Sequence, residues 1–211
     1  NRGKARRKFT ENHLEDNTLK APKREIAPKE QLEYLIKLLD KGNPVWITKS
    51  KNVHRKLKYT LQIIQVDKIK ICINTHVTNK IVQEAINKGS IKELKDFNII
   101  RPEKKFSKNT RFDFFLLNKV TNKKAFLEVK SVSLRRKNYH AEFPDSVTSR
   151  GKKHLENLVI ANKQGYESYL FFLIQIEKCK SFAIASDIDP EYFKVFKSAL
   201  KKNINFICYD C

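Results

Sequence analysis

Two apolar runs with charged residues inside them constrain the fold of this chain most. Residues 112–117 read Phe-Asp-Phe-Phe-Leu-Leu, and residues 125–132 read Ala-Phe-Leu-Glu-Val-Lys-Ser-Val. Both runs have the length and apolar content of β-strands, and the short loop between them suits a hairpin. Burying a carboxylate or an ammonium is costly unless the group is paired or binds an ion. The three charged residues, Asp113, Glu128 and Lys130, therefore require an explanation.

The alternation of side chains along a strand predicts that these charges lie together. Glu128 and Lys130 share one face of their strand, and hairpin pairing can set Asp113 beside Glu128. Two close carboxylates repel each other unless a cation lies between them. Mg²⁺ takes one or two protein carboxylates and completes its octahedron with waters and phosphate oxygens. The pattern therefore predicts a site for Mg²⁺-assisted attack on a phosphodiester, and the alternative is an edge strand with a solvated polar face.

A basic segment follows at residues 143–154, where the sequence is Phe-Pro-Asp-Ser-Val-Thr-Ser-Arg-Gly-Lys-Lys-His. Its first residues are typical of a turn that leads into a helix. Arg150 and His154 are four residues apart and extend the apolar stripe of that helix toward its N-terminus, where backbone N–H groups favour a phosphate. Arg150, Lys153 and His154 are therefore candidates for binding the scissile or a flanking phosphate. The alternative is a basic helix end that contacts only water.

The net charge of +21 and the isoelectric point near 9.8 favour a polyanionic partner. Nucleic acid and an anionic membrane surface both satisfy that requirement. No apolar run approaches the length of a transmembrane helix, so we expect nucleic acid as the partner and no membrane. Lys outnumbers Arg by 34 to 10, and the base composition of the gene is an alternative source of the Lys excess.

The remaining composition excludes several classes of protein. The four cysteines are too scattered for a disulfide framework, and the chain opens without a signal peptide, so a reducing cytoplasm is expected. Cys208 and Cys211 have CxxC spacing, but no second CxxC exists to complete a zinc site. The sequence also lacks a nucleophile elbow, a P-loop and a dinucleotide-binding fingerprint.

The order of the predicted elements indicates an α/β (α+β) fold in two domains. A helix at 31–39 and strands at 45–47 and 59–66 belong to a first domain, residues 1–68. Residues 69–211 form the second domain, with a mixed sheet and flanking helices. Its predicted helices are 78–88, 150–164 and 190–202, and its predicted strands are 69–74, 99–106, 111–117, 124–132, 168–176 and 204–208.

Several ordered motifs resemble the sugar fermentation stimulation protein family. They are Asn74-Thr75-His76 and residues 79–85, 110–113, 126–134, 143–154, 171–175 and 188–192. The resemblance covers about residues 70–211 and rests on many motifs at once. It implies an N-terminal OB-like β-barrel followed by a PD-(D/E)xK nuclease-like domain. It also implies DNA binding, nuclease activity that depends on Mg²⁺ with Mn²⁺ as a substitute, and an older suggestion of a regulatory role in sugar metabolism.

The resemblance assigns roles residue by residue. Asp113 is the first metal ligand, Glu128 is the second, and Lys130 orients or activates the attacking water. Glu84 matches the acid on the first helix of the pattern and would hold the metal through a water. The helical periodicity alone places Glu84 beside the apolar stripe and favours a solvated surface position. The candidate nucleic-acid contacts are Arg111, Arg135, Arg136, Lys137, Arg150, Lys152, Lys153 and His154.

Three functions are compatible with these observations. The first is a Mg²⁺-dependent nuclease that acts on DNA, and on RNA as well, with little sequence preference. The second is a DNA-binding regulator that kept the fold without the activity, and the third is a structural RNA- or ribosome-associated basic protein. Asp113, Glu128 and Lys130 together favour the nuclease, because a pure binder has no use for two buried acids that repel phosphate. The sequence predicts no oligomeric state.

Overall fold

The structure of the protein, a computed structural model, describes residues 7–9, 33, 37–137 and 139–211. We number its elements in chain order. The helices are α1 (Thr78–Asn87), α2 (Ser149–Lys163) and α3 (Pro190–Leu200). The strands are β1 (Arg7–Phe9), β2 (Val45–Lys49), β3 (Tyr59–Val66), β4 (Ile69–Cys72), β5 (Ile99–Ser107), β6 (Thr110–Leu117), β7 (Lys124–Val132), β8 (Leu134–Lys137), β9 (His140–Phe143), β10 (Glu167–Ile174), β11 (Ser181–Ile184) and β12 (Asn205–Asp210).

The first domain contributes an antiparallel sheet with the strand order β2-β3-β4. Strands β3 and β4 form a hairpin, and its turn residues, Asp67 and Lys68, have positive φ angles. The predicted boundary at residue 68 falls in the turn of this hairpin, and the domain boundary stays a prediction. Of the helix predicted at 31–39, residues 33 and 37–39 are helical, and the others lie outside the described residues.

The second domain is built on a six-stranded mixed sheet with the order β1-β12-β10-β7-β6-β5. Strands β5, β6 and β7 are antiparallel neighbours, because short turns connect them. Strand β10 runs parallel to both β7 and β12, because each connection carries a helix across one face of the sheet. The predicted combination of a mixed sheet and flanking helices is therefore confirmed.

Apolar side chains cover both faces of this sheet. On one face, Val82 of α1 belongs to the same buried cluster as Leu127 of β7. On the other face, Leu155 of α2 and Phe196 of α3 are buried in one cluster with Phe126. Burying one side chain of this size contributes about 1.5–3 kcal/mol. The sheet therefore holds α1 and α2 against opposite faces of β7, the strand that carries Glu128 and Lys130.

A small sheet with the order β11-β9-β8 completes the second domain. None of these three strands was among the predicted elements. Each is only four residues long, and β8 reads Leu-Arg-Arg-Lys, a sequence without the alternation that identifies a strand. Tertiary pairing, rather than local pattern, determines these strands.

Candidate active site

Asp113, Glu128 and Lys130 line one pocket of about 570 Å³. Strands β6 and β7 form its floor, and the N-terminal residues of α1 and α2 form its walls. The other residues that line it are Thr75, Thr78, Asn79, Glu103, Arg111, Val129, Ser131, Phe143, Thr148, Arg150, Gly151 and His154. The pocket therefore brings together residues from six separate elements, α1, α2, β5, β6, β7 and β9.

Asp113 lies where the pairing of β6 with β7 ends. The last paired residues are Phe114 and Leu127. Beyond them the Asp113 carboxylate takes the place of a main-chain partner, because its Oδ2 accepts the N–H of Val129 at 2.8 Å. Its Oδ1 accepts a hydrogen bond from Nδ2 of Asn79 on α1 at 2.7 Å. These two bonds fix the orientation of the carboxylate.

The surroundings of Asp113 disfavour its ionised form. Burial, followed by the negative charge of Glu128, raises the pKa of Asp113 to about 6. The hydrogen bonds from Val129 and Asn79 and the charge of Lys130 act in the opposite direction but are outweighed. A cation between the two carboxylates would remove the repulsion between them.

Glu128 is the most buried acid of the pocket, with 4% of its side chain exposed. Its Oε1 accepts hydrogen bonds from Nζ of Lys130 at 2.8 Å and from Nδ1 of His154. Burial by itself raises the pKa of Glu128, but Lys130 and His154 outweigh it and hold the pKa below its usual value. Its Oε2 is buried and has no hydrogen-bond partner among the described residues.

His154 connects the acid centre to the start of α2. Its Nδ1 faces Glu128, and its Nε2 accepts a weak hydrogen bond from Nε of Arg150 at 3.4 Å. This pattern assigns the ring proton to Nδ1. Only 12% of the His154 side chain is exposed. The ring is therefore held against Glu128, and contact of His154 with a phosphate stays a prediction.

Two polar residues that sequence reasoning missed support the pocket. Asn79 positions Asp113, as described above. Gln175, at the end of β10, is buried, and its Oε1 accepts hydrogen bonds from the hydroxyls of Thr78 and Ser131, each at 2.7 Å. Gln175 therefore ties the beginning of α1 to the end of β7. The motif at 171–175 contains Gln175 but gave it no role, because its partners are distant in the chain.

The start of α2 is held in place by a cap and a close contact. The hydroxyl of Thr148 accepts the N–H of Gly151 at 2.9 Å. A Cβ atom on Gly151 would lie 2.7 Å from that hydroxyl oxygen, so a side chain does not fit there. The N–H of Thr148 donates to Asp189, which also caps α3. These bonds set the direction in which Arg150 and His154 project.

The structure does not bring Glu84 to this pocket. Asn79 and Glu84 are five residues apart on α1, which separates their directions by about 140° around the helix axis. Asn79 faces Asp113, whereas the Glu84 carboxylate pairs with Lys88 one turn along the helix. The assignment of Glu84 as a ligand is therefore corrected, because the helix directs it to another side.

Arg136 is also corrected, because it is a buried structural residue. Its guanidinium donates hydrogen bonds to Glu142 at 2.6 and 2.9 Å, and to both oxygens of Asp187. Only 7% of its side chain is exposed, so it is not available to a phosphate. Its neighbours on β8, Arg135 and Lys137, are half-buried and exposed respectively.

Other predicted cations form a groove beside the pocket. This groove has a volume of about 710 Å³ and shares Arg111, Arg150 and His154 with the acid pocket. It is lined by Lys105, Ser107, Lys108, Asn109, Thr110, Arg111, Ser149, Arg150, Lys153 and His154. The lining contains five Lys or Arg side chains and no carboxylate. Lys152 instead pairs with Glu191 at 3.1 Å on the exposed side of α2.

The donors in the pocket fit a hard divalent cation. No cluster of three or more His, Cys, Asp or Glu side chains in the described part of the chain is arranged to hold a metal. Mg²⁺, however, commonly takes only one or two carboxylates and keeps several waters. Asp113 and Glu128 provide two, and the buried Oε2 of Glu128 is an acceptor that a cation would satisfy.

A comparison with models of protein families identifies the family to which this chain belongs. The model of the sugar fermentation stimulation protein RE domain matches residues 76–211, which is more than half of the chain. The chain belongs to the sugar fermentation stimulation protein family. The family's N-terminal OB domain matches residues 35–73, so the predicted order of an OB domain and a sheet-rich domain is confirmed.

Curated relatives agree with this assignment. The sugar fermentation stimulation protein homolog of Pelagibacter ubique is 47% identical over 82% of this chain and 74% of its own. The homolog of Rhodospirillum centenum is 41% identical over 81% of this chain and 72% of its own. Each match therefore covers more than four fifths of this chain.

A solved structure shows the same fold. The structure of Pyrococcus furiosus SfsA in complex with Ca²⁺ superimposes with a TM-score of 0.75 at 22% sequence identity, and the match covers 83% of this chain and 74% of the other.

Among the described helices of the present family member, none has the length and apolar character needed to cross a membrane.

Proposed function

We propose that this chain is a divalent-cation-dependent nuclease that hydrolyses phosphodiester bonds in DNA, and in RNA as a second substrate. The observation that carries the proposal is the joint placement of Asp113, Glu128 and Lys130 in one pocket beside a basic groove. A buried acid, Glu128, and a half-buried one, Asp113, repel a polyanion, so their position next to a basic groove favours a role in chemistry.

Asp113 and Glu128 are the residues that would hold Mg²⁺, with Mn²⁺ as a substitute. When bound, such an ion supplies positive charge that stabilises the charge developing on the phosphate in the transition state. The buried, unpartnered Oε2 of Glu128 supports this assignment. The relative from Pyrococcus furiosus is known as a Ca²⁺ complex, and Ca²⁺ shares the preference of Mg²⁺ for oxygen ligands.

The protein side chains then have distinct tasks. Lys130 directs an ammonium toward the pocket, where it orients the attacking water and stabilises negative charge on the phosphate. His154 keeps Glu128 oriented, and Asn79 keeps Asp113 oriented. Preorganised groups of this kind lower the barrier because they need little rearrangement as charge develops.

The groove explains why little sequence preference is expected. Its charged residues, among them Arg111, Arg150 and Lys153, suit contacts with phosphates, and such contacts carry no base information. Affinity for DNA should therefore fall steeply with salt, because each neutralised phosphate releases counterions. A nucleic-acid substrate also agrees with the expected cytoplasmic location.

The test is cleavage of plasmid, single-stranded DNA and RNA with Mg²⁺, Mn²⁺ or EDTA. We expect nicking by the wild type with either cation, none in EDTA, and none by Glu128→Gln or Lys130→Met. Glu177→Gln, which changes an exposed acid outside the pocket, is the control and should cleave normally. DNA affinity in EDTA should be equal or higher in Glu128→Gln, because that variant loses a negative charge facing the phosphates.

One result would favour the second candidate function, a DNA-binding regulator, over the nuclease. If the wild type binds DNA tightly but nicks no strand type with either cation, the chain is a non-catalytic, non-specific DNA-binding regulator. The basic groove favours that alternative equally, because it serves binding with or without chemistry.

A further inference from the structure

A third carboxylate, that of Glu103, lies on the strand beside Asp113. In the register of β5 with β6, Pro102 is opposite Phe114 and Lys104 is opposite Phe112. Glu103 therefore occupies the position across from Asp113. Its φ of 55° is uncommon for a residue with a side chain, so the backbone departs from regular strand geometry at this point.

The Glu103 side chain faces the acid pocket and is loosely held. Its Oε2 lies 3.6 Å from the guanidinium of Arg111, with 62% of the Glu103 side chain and 60% of the Arg111 side chain exposed. Both residues line the pocket, and Arg111 also lines the basic groove. Exposed ion pairs of this length are weak because water and salt screen them, so a stronger partner can separate them.

The buried carboxylate of Glu128 points to a cation-binding site independently of Glu103. The Oε2 of Glu128 is buried without a hydrogen-bond partner among the described residues, although Glu128 is only 3% exposed. A buried carboxylate oxygen normally has a donor or a cation beside it. Asp113 and Glu128 supply two oxygen ligands, and Mg²⁺ or Mn²⁺ has room for a further oxygen ligand or a water held by one.

We propose that Glu103 is a third carboxylate of this cation site, and that Arg111 holds it away until a nucleic-acid phosphate binds the Arg111 guanidinium. The inference rests on the proposed function, because it assumes that Asp113 and Glu128 bind a divalent cation. Arginine forms bidentate hydrogen bonds with phosphate, and Arg111 stands between the groove and the pocket. Binding of the phosphate therefore releases Glu103 toward the cation.

The exchange of Arg111 from Glu103 to a phosphate couples the binding of the cation to the binding of nucleic acid. A phosphate on Arg111 strengthens cation binding through Glu103, and by linkage the cation strengthens nucleic-acid binding by the same factor. In the absence of nucleic acid, Arg111 weakens cation binding in two ways. It occupies Glu103, and it adds a positive charge to the pocket.

The test is a calorimetric titration of the full chain with Mn²⁺, without nucleic acid, so that cleavage plays no part in the measurement. We expect Arg111→Gln, which frees Glu103, to bind Mn²⁺ severalfold more tightly than the wild type. Adding Glu103→Gln to Arg111→Gln should weaken Mn²⁺ binding about tenfold relative to Arg111→Gln alone, whereas Glu103→Gln by itself should change it little. Lys70 and Glu177 form a matched control pair, also 3.6 Å apart and partly exposed. Lys70→Gln and Glu177→Gln should therefore bind Mn²⁺ like the wild type.

The outcomes separate this inference from the proposed function. Wild-type affinity in Arg111→Gln, or equal affinity in Arg111→Gln and in the double variant, overturns the inference, provided that the wild type binds Mn²⁺ and Glu128→Gln does not. Absence of Mn²⁺ binding by the wild type overturns the cation site itself, and with it the proposed function. Both substituted side chains are more than half exposed, so the variants should fold, and circular dichroism checks that they do.

Discussion

Replacing Asp113 with Asn should stabilise the cation-free protein at neutral pH. Burial and the charge of Glu128 raise the pKa of Asp113 from 3.8 to about 6 in the folded state. The native carboxyl therefore binds its proton more tightly than the unfolded one. The free energy of unfolding consequently falls as pH rises from about 4 to about 6, and the penalty persists at higher pH. An uncharged amide removes that penalty.

The size of the effect follows from the pKa. A shift of about two units at about 1.4 kcal/mol per unit gives an upper limit of about 3 kcal/mol. Relaxation around the charge reduces this value, so we expect about 2 kcal/mol, or about 4–8 °C in Tm for a chain of this size. The substituted side chain keeps both hydrogen bonds, because its oxygen accepts from Val129 and its NH₂ group donates to Asn79 once that amide turns round.

The assay is urea unfolding in EDTA at several pH values between 4 and 8. The difference between Asp113→Asn and the wild type should grow between about pH 4 and 6 and stay constant above about pH 7. Asp40→Asn, at an exposed position, is the control and should show no such difference. Saturating Mg²⁺ should then stabilise the wild type by about 2–4 kcal/mol and the variant by less. A variant less stable than the wild type at pH 7.5 in EDTA would refute the reasoning.

Three further outcomes follow from individual contacts. Arg136→Met should lower the free energy of unfolding by about 3 kcal/mol or more, because it leaves buried acids unpaired, whereas DNA affinity of the folded variant should be unchanged in fluorescence anisotropy. Gly151→Ala should cost about 1–2 kcal/mol in urea unfolding because its Cβ displaces the Thr148 cap, and the cost should shrink in a Thr148→Ala background. His154→Ala should lower kcat with little change in DNA affinity, because His154 orients Glu128; a change confined to DNA affinity would contradict that role.

The sequence located the elements of the second domain well, because their patterns are local. The strand predicted at 124–132 matches β7 residue for residue, and the helix predicted at 150–164 differs from α2 by one residue at each end. Long amphipathic helices and apolar strands carry their own periodicity. The short strands β8, β9 and β11 carry none, and they exist because each pairs with a neighbour that folding brings near.

The residues of the candidate site also divide into those that local sequence patterns predict and those that only the fold positions. Alternation along a single strand placed Glu128 and Lys130 on one face, and hairpin spacing brought Asp113 to them. Glu84 was assigned from a family pattern, whereas the rotation of α1 against the sheet directs Asn79 into the pocket instead. That rotation depends on which side chains of α1 are buried, among them Val82, Ala85 and Ile86. The helical periodicity, which placed Glu84 beside this apolar stripe, already favoured a surface position for it.

What the sequence determined by itself was therefore everything that depends on local periodicity: the strands, the helices, the acidic pair and the excess of positive charge. Only the tertiary structure decided which cations are free to meet a phosphate. Arg136 looks like its basic neighbours in the sequence, but Asp187, 51 residues away, neutralises it in the interior. Glu103 looks like a surface acid, but it lies across from Asp113. The net charge can be counted from the sequence. The role of each charged side chain, however, depends on its burial and on its distance from other charges, which only the folded structure sets.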